Sequence, residues 1–334
     1  MVAISVLDLV PVREGQEPGD ALRASIDLAR HAEALGYRRY WVAEHHNMTG
    51  IASAATSVVI GQLAAATKTM RIGAGGIMLP NHAPLVIAEQ FGTLEALFPG
   101  RIDLGVGRAP GTDQITMRAL RRNPMSADTF PQDVLELQAY FAPAGPNQVI
   151  QAVPGAGLEV PLWILGSSLF GAQLAAELGL PYAFASHFAP DALLEALAVY
   201  RQRFKPSEQL DAPYAMPGIN VIAAETDAEA RHLATSLQQR FVGMVRGARG
   251  KLQPPLDIEA YWSPAEKAHV SRMLRYAFIG SPETLKRELG AFLAETRADE
   301  IMVTAPIFDH AARKRSYEIL AGIAPEIGAS ARAA

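Results

Sequence analysis

Residues 70–107 read MRIGAGGIMLPNHAPLVIAEQFGTLEALFPGRIDLGVG. An apolar run at 70–76 is followed by a segment at 84–98 with apolar residues at helical spacing, and then by a second apolar run at 102–106. Two runs of strand length joined by a helix make a βαβ unit with parallel strands. The unit repeats outward in both directions. Strands are expected over 3–8, 39–43, 70–76, 102–106, 162–165, 182–185, 218–223 and 300–303. Helices are expected over 20–35, 53–67, 84–98, 130–141, 169–178, 190–204, 227–245, 282–295 and 310–323. Eight strands, each with a following helix, predict a closed (β/α)8 TIM barrel with extended βα loops. An open doubly wound sheet fits less well, because no Gly-x-Gly-x-x-Gly joins the first strand to the first helix.

The 334 residues are 49% hydrophobic and 19% charged, enough to bury a large core. One domain over 1–334 is expected, since α/β barrels need about 250 residues for a single unit. Its regular pattern breaks at about 109–128, which is Arg-rich, at 143–160, which is Pro/Gly-rich with room for a short extra strand, and at 246–267. Connections this long are usually lids or binding elements. The net charge of -4 gives no reason to bind nucleic acid or an anionic membrane, and the Arg118, Arg121 and Arg122 cluster reads as a solvated face. The absence of cysteine excludes disulfides, thiolate catalysis and Cys-ligated metal. No metal site is expected. The opening MVAISVLDLV lacks the features of a signal peptide, and no apolar run reaches the roughly 18 residues of a membrane span, so a cytoplasmic location is expected.

In a barrel, chemistry belongs at the C-terminal ends of the strands. Those ends carry Asp8; Glu44, His45 and His46; Gly75 and Gly76; Gly107 and Arg108; Gly166, Ser167 and Ser168; Ser186 and His187. Gly166-Ser167-Ser168 precedes a helix, so it is either an anion cradle or an ordinary serine cap. Arg108 at the neighbouring strand end favours the cradle, because a guanidinium holds phosphate bidentately. His45 and His46 are adjacent, point to opposite sides of an extended segment, and cannot chelate one metal together. One faces the mouth as a hydrogen-bonding or proton-carrying group, and the other packs. Glu44 is open between a base, an ion-pair partner and a mouth-lining carboxylate. Gly75 and Gly76 mark either a bulge or a place where a flat ligand meets backbone, with Met78 beside it or in the core. His46 and His187 are the candidates to face a substrate.

Residues 40–49 (YWVAEHHNMT), 71–84 (RIGAGGIMLPNHAP) and 100–111 (GRIDLGVGRAPG), in that order and spacing, resemble the luciferase-like flavin monooxygenases. Residues 5–9 (SVLDL), 163–168 (WILGSS) and a helix ending in LGLP at 178–181 extend the likeness over most of the chain. The resemblance implies a barrel, often homodimeric, that takes reduced FMN from a separate flavin reductase and uses O2 to form a C4a-peroxyflavin that oxidises a small organic substrate. It further implies a non-prolyl cis peptide at Gly75-Gly76 behind the flavin ring and a phosphate site at Arg108, Gly166, Ser167 and Ser168. His45 is implied as the catalytic histidine, with Glu44 beside it. Gly107 stands where the light-emitting subunit of luciferase carries a reactive cysteine, and Gly166 where it carries a glutamate, so an oxidation without light is favoured. Two other readings stay open: a deazaflavin (F420)-dependent hydride-transfer oxidoreductase, and a flavin-binding protein without catalysis.

Overall fold

The computed structural model describes residues 2–109 and 111–330, with the side chains of 124, 126 and 328–330 set aside. Pro110, inside both the 100–111 motif and the 109–128 segment, lies outside the described residues, as do the ends of the 1–334 span. The strands are β1 (Ala3–Asp8), β2 (Arg39–Val42), β3 (Arg71–Met78), β4 (Ile102–Gly107), β5 (Leu162–Gly166), β6 (Tyr182–Phe184), β7 (Ala215–Ala223), β8 (Ala277–Gly280) and β9 (Glu300–Thr304). β1 to β6 pair in chain order, β6 pairs β7, β7 pairs β9 and β9 returns to β1, all parallel. Eight strands therefore close the barrel.

β8 was not expected. It pairs with the far end of β7, Asn220↔Ala277 to Ala223↔Gly280, and extends that strand's edge beyond the closed ring. Four residues, AFIG, are too few to show an alternating pattern. The long connections also differ from expectation. Residues 109–128 hold a short helix, Gln114–Ala119, whose Asp113 cap accepts from the Thr116 amide at 2.8 Å. Residues 143–160 form turns with a cis Val153-Pro154 bond and no extra strand. Residues 246–267 contain the helix Ile258–Tyr261 and the start of Pro264–Met273, which opens with a reciprocal Ser263/Glu266 capping box.

Successive strand residues alternate between the barrel interior and the surrounding helices. Inward positions on β2 are Arg39 and Trp41, followed by Ala43; on β9 they are Glu300, Met302 and Thr304. The interior is layered. At the N-terminal ends, Arg39 pairs with Asp103 at 2.7 Å and with Glu300 at 3.1 Å, all three buried. Arg71 and the Trp41 indole N–H also bond Asp103, and the Tyr214 hydroxyl donates to Glu300 at 2.8 Å. Above them, Leu7, Trp41, Trp163, Ala183, Met216 and Met302 fill the middle, with the two indoles edge to face at 5.1 Å. The outer face of the sheet packs on the helices in one larger apolar cluster. Above the middle layer the interior opens.

Candidate active site

The barrel mouth is a cavity of about 860 Å³, within the roughly 300–1,000 Å³ range of small-molecule pockets. It continues the inward alternation: Ala43 then His45, Gly75, Gly107, Leu165 then Ser167, Ala185 then His187, and Gly218 then Asn220 all line it. This alternation separates the adjacent histidines. His45 lines the cavity, whereas His46 turns outward and its Nε2 lies 2.7 Å from Glu44 Oε1.

Glu44 is buried and is not among the cavity-lining residues. Its carboxylate accepts from the Met78 amide at 2.9 Å and the Asn81 amide nitrogen at 3.1 Å, and lies 2.9 Å from His82 Nε2. Burial pushes its pKa up, but those contacts, His82 foremost, outweigh it and hold the carboxyl below the usual carboxylate range. The group thus clamps the turn after β3 to the end of β2.

Gly75-Gly76 is cis, and the β3–β4 register shifts between Gly75 and Ile77. A Cβ on Gly75 would lie 2.9 Å from the Trp41 ring, and one on Gly76 2.7 Å from the Gly105 carbonyl, so neither position has room for a side chain. Gly75 lines the cavity and Gly76 does not. Met78 lines it too, 3.3 Å from where a Gly107 Cβ would sit, so a side chain at 107 would press on the end of that thioether.

Arg108 is exposed and makes no hydrogen bond or ion pair with a described residue; its guanidinium lies 4.1 Å from the Phe170 ring centroid. Ser168 occupies the cap position of the helix Leu169–Leu178, yet its side chain makes no capping bond. The first N–H groups of that helix are therefore left without a side-chain acceptor, beside Ser167 and Arg108 on the cavity wall. Gly166 also lines the cavity, where a Cβ would make ordinary contact with Tyr182.

On the opposite wall, His187 stands over Gly218, where a Cβ would come within 2.8 Å of its Nδ1. The Nδ1 atoms of His45 and His187 are both buried without a hydrogen-bond partner. Burial, then the charge of Arg240, pushes the His45 imidazole down to about 4, against a smaller pull from the Ala43 carbonyl. Burial, with His45 and Arg240 adding to it, pushes His187 down to about 3. Both are neutral near pH 7.

Arg240 was not foreseen, whereas the segment above it lies within the 246–267 connection expected to be a lid or binding element. The helix Asp227–Val245 presents Leu237, Arg240, Phe241 and Met244 to the cavity, a spacing that defines one helical face. Residues 246–253 then cross the mouth as a strap. Leu252 exchanges backbone hydrogen bonds with Val12 and Glu14 at 2.8 Å, and the Lys251 ammonium donates to the Gln16 carbonyl at 2.6 Å. Gly50 has no room for a side chain beneath it, since a Cβ would fall 2.1 Å from the Gly250 carbonyl.

A family model described as luciferase-like monooxygenase matches residues 2–300. The chain is 56% identical over 329 residues to a luciferase-like monooxygenase of Escherichia coli strain K12, covering 98% of each. It is 31% identical over 336 residues to the N-acetyl-S-alkylcysteine monooxygenase of Bacillus subtilis strain 168, covering 96% of this chain and 97% of that one. The crystal structure of apo-MsnO8 is similar with a TM-score of 0.87 at 36% identity, covering 97% and 99%. At 17% identity, where likeness speaks for the fold alone, the oxygenating constituent of Pseudomonas putida 3,6-diketocamphane monooxygenase in complex with FMN gives 0.74, covering 98% of each chain. An F420-dependent secondary alcohol dehydrogenase, also at 17%, gives 0.69, covering 98% and 99%. Among the described residues, no helix is long and apolar enough to cross a membrane.

Proposed function

The chain belongs to the luciferase-like monooxygenase family, and from that premise we propose that it is an FMN-dependent monooxygenase that oxidises a small organic substrate with O2. The observation that carries this reading is the pairing of an unpartnered guanidinium, Arg108, with an uncapped helix start at Ser168 on the wall of an apolar cavity. Both features call for a phosphate. Reduced FMN, when bound, supplies the electrons that activate O2.

The residues of this chain do the rest. Arg108, Ser167, Ser168 and the amide groups after Gly166 hold the phosphate. Gly75 leaves bare backbone on the cavity wall, which lets a flat ring approach, and Met78 offers a polarisable neighbour. His45, neutral and lining the cavity, is placed to hold or move a proton at the reacting centre. Glu44 acts through position, fixing the turn that carries Met78. The strap and the apolar lining exclude water.

In this reading a separate flavin reductase supplies the reduced cofactor, as the family resemblance implies. Val58, Val86 and Leu97 are exposed on the adjacent helices Thr56–Ala66 and Pro84–Leu97, which supports a homodimer testable by light scattering.

Turnover of an aldehyde and thioether panel with reduced FMN and O2 tests the reading. His45→Ala is expected to leave flavin affinity within about twofold and lower turnover by roughly 10²-fold or more. Unchanged turnover removes His45 from the chemistry. Saturable binding of F420 without binding of FMN moves the protein to hydride transfer.

A further inference from the structure

We propose that the cavity recognises its organic substrate through a carboxylate, gripped by Arg240 with His187 and His45 beside it, at a subsite distinct from the phosphate site at Arg108. The inference rests on the flavin reading only for the second half of that statement.

Arg240 lines the cavity and makes no hydrogen bond or ion pair with any described residue. It is half-buried on the cavity wall, and a guanidinium there without an anionic partner is available to a counter-charge brought by a ligand. The nearest carboxylate is already committed: Asp8 Oδ1 accepts from the Arg313 guanidinium and the Val10 amide, both at 2.8 Å, and Oδ2 from the Tyr40 hydroxyl. Arg313 itself repels Arg240. Burial, with that repulsion adding to it, lowers the pKa of Arg240 to about 10, which still leaves the guanidinium charged at neutral pH. Among the described lining residues there is no Asp or Glu. The ligand must bring the negative charge.

The other cations on the cavity are accounted for in other ways. Arg246 pairs with Glu266 at 2.7 Å, Lys251 is tied to the strap's anchor, Arg249 is exposed, and Arg108 lies across Phe170 at the helix start. With His45 and His187 neutral, the Arg240 cluster carries a single positive charge, which suits a monoanion. A planar fork matches a carboxylate bidentately, and both imidazoles line the same cavity with no hydrogen bond from Nε2 to a described residue, which leaves that nitrogen to complete the contacts. A phosphate is less suited, because Arg240 sits inside the helix Asp227–Val245 and no run of free backbone amides faces it. Leu237, Phe241 and Met244 on the same face, with Met216 opposite, receive an apolar body. The substrate class is a small organic acid with an apolar or thioether chain.

The test uses three pairs of probes that differ in charge at constant shape: hexanoate and hexanamide, benzoate and benzamide, N-acetylmethionine and its amide. Each is titrated calorimetrically into FMN-loaded wild type, Arg240→Gln and Arg240→Lys, with FMN affinity measured in parallel. At least one acid is expected to bind wild type about tenfold or more tighter than its amide, a preference lost in R240Q and partly kept in R240K. FMN affinity is expected to change less than about twofold in R240Q. No acid preference in wild type, or a preference that survives R240Q, overturns the proposal. Loss of FMN affinity in R240Q as large as in Arg108→Gln also overturns it, because Arg240 would then hold the flavin phosphate. A preference found in protein that fails to take up FMN leaves the carboxylate grip standing and sinks the flavin reading instead.

Discussion

Two arginines point into the same barrel, one at each end, and they are treated in opposite ways. At the N-terminal ends of the strands Arg39 is buried between Asp103 and Glu300, with Arg71 and Tyr214 completing the bonds of those carboxylates. The paired charges raise its affinity for the proton despite burial. At the mouth Arg240 has only the repulsion of Arg313 and the distant pull of an already occupied Asp8. A saturated ion network closes the floor and sets structure. An unsaturated one leaves a charge for a ligand. The same distinction separates Glu44, with every oxygen occupied, from His45 one residue on, whose Nδ1 is unpartnered.

The largest expected effect is on the floor. Arg39→Met strands Asp103 and Glu300 without their shared cation and should lower unfolding free energy by about 3–5 kcal/mol in urea titration. A loss below about 1 kcal/mol would mean the network contributes no more than surface pairs do. Next comes acid. His45 and His187 have folded-state values of about 4 and about 3, below the ordinary imidazole value near 6.5, so the unfolded chain binds protons first as pH falls. Their contribution is fully present above about pH 6.5 and is lost on descent toward the folded values, at about 1–2 kcal/mol per histidine by pH 5. The double variant His45→Asn, His187→Asn should flatten the stability profile between pH 7 and 5, with Arg240, Arg249 and Glu44 unchanged around it.

Gly218→Ala places a methyl against the His187 ring and should cost about 1–3 kcal/mol while shifting the pH profile toward that of an exposed histidine. The smallest effect separates the two arginines most cleanly. Arg240→Met in ligand-free protein should leave stability unchanged or raise it by about 1 kcal/mol, since it removes an unpaired charge. A loss comparable to that of Arg39→Met would show that Arg240 is structural after all.

The barrel was legible because its strands and helices have different periods, and the helices Phe130–Phe141, Leu169–Leu178 and Asp227–Val245 were read to their ends. β8 was missed because four residues carry no period. The Ser263/Glu266 box was visible as a serine followed by glutamate at the right spacing, inside a stretch read as loop. At the site, strand-end residues were readable from topology alone, including the opposed directions of His45 and His46. The Glu44, His46 and His82 contacts were not, because a turn brings together residues far apart in the chain. Arg240 did leave a trace: it interrupts the apolar face formed by Leu237, Phe241 and Met244. A cation in that position has either a partner or a purpose, and the sequence does not say which.

The central claim is that the mouth, and not the floor, binds flavin through Arg108. Trp41 lines the cavity and Trp163 packs edge to face against it, so anaerobic titration with reduced FMN, followed by quenching of tryptophan fluorescence, reads occupancy there. Wild type should saturate, and Arg108→Ala should weaken binding by about tenfold or more, as expected for loss of a charged phosphate contact. Equal affinity in the two proteins, or no saturable quenching in either, would contradict the account.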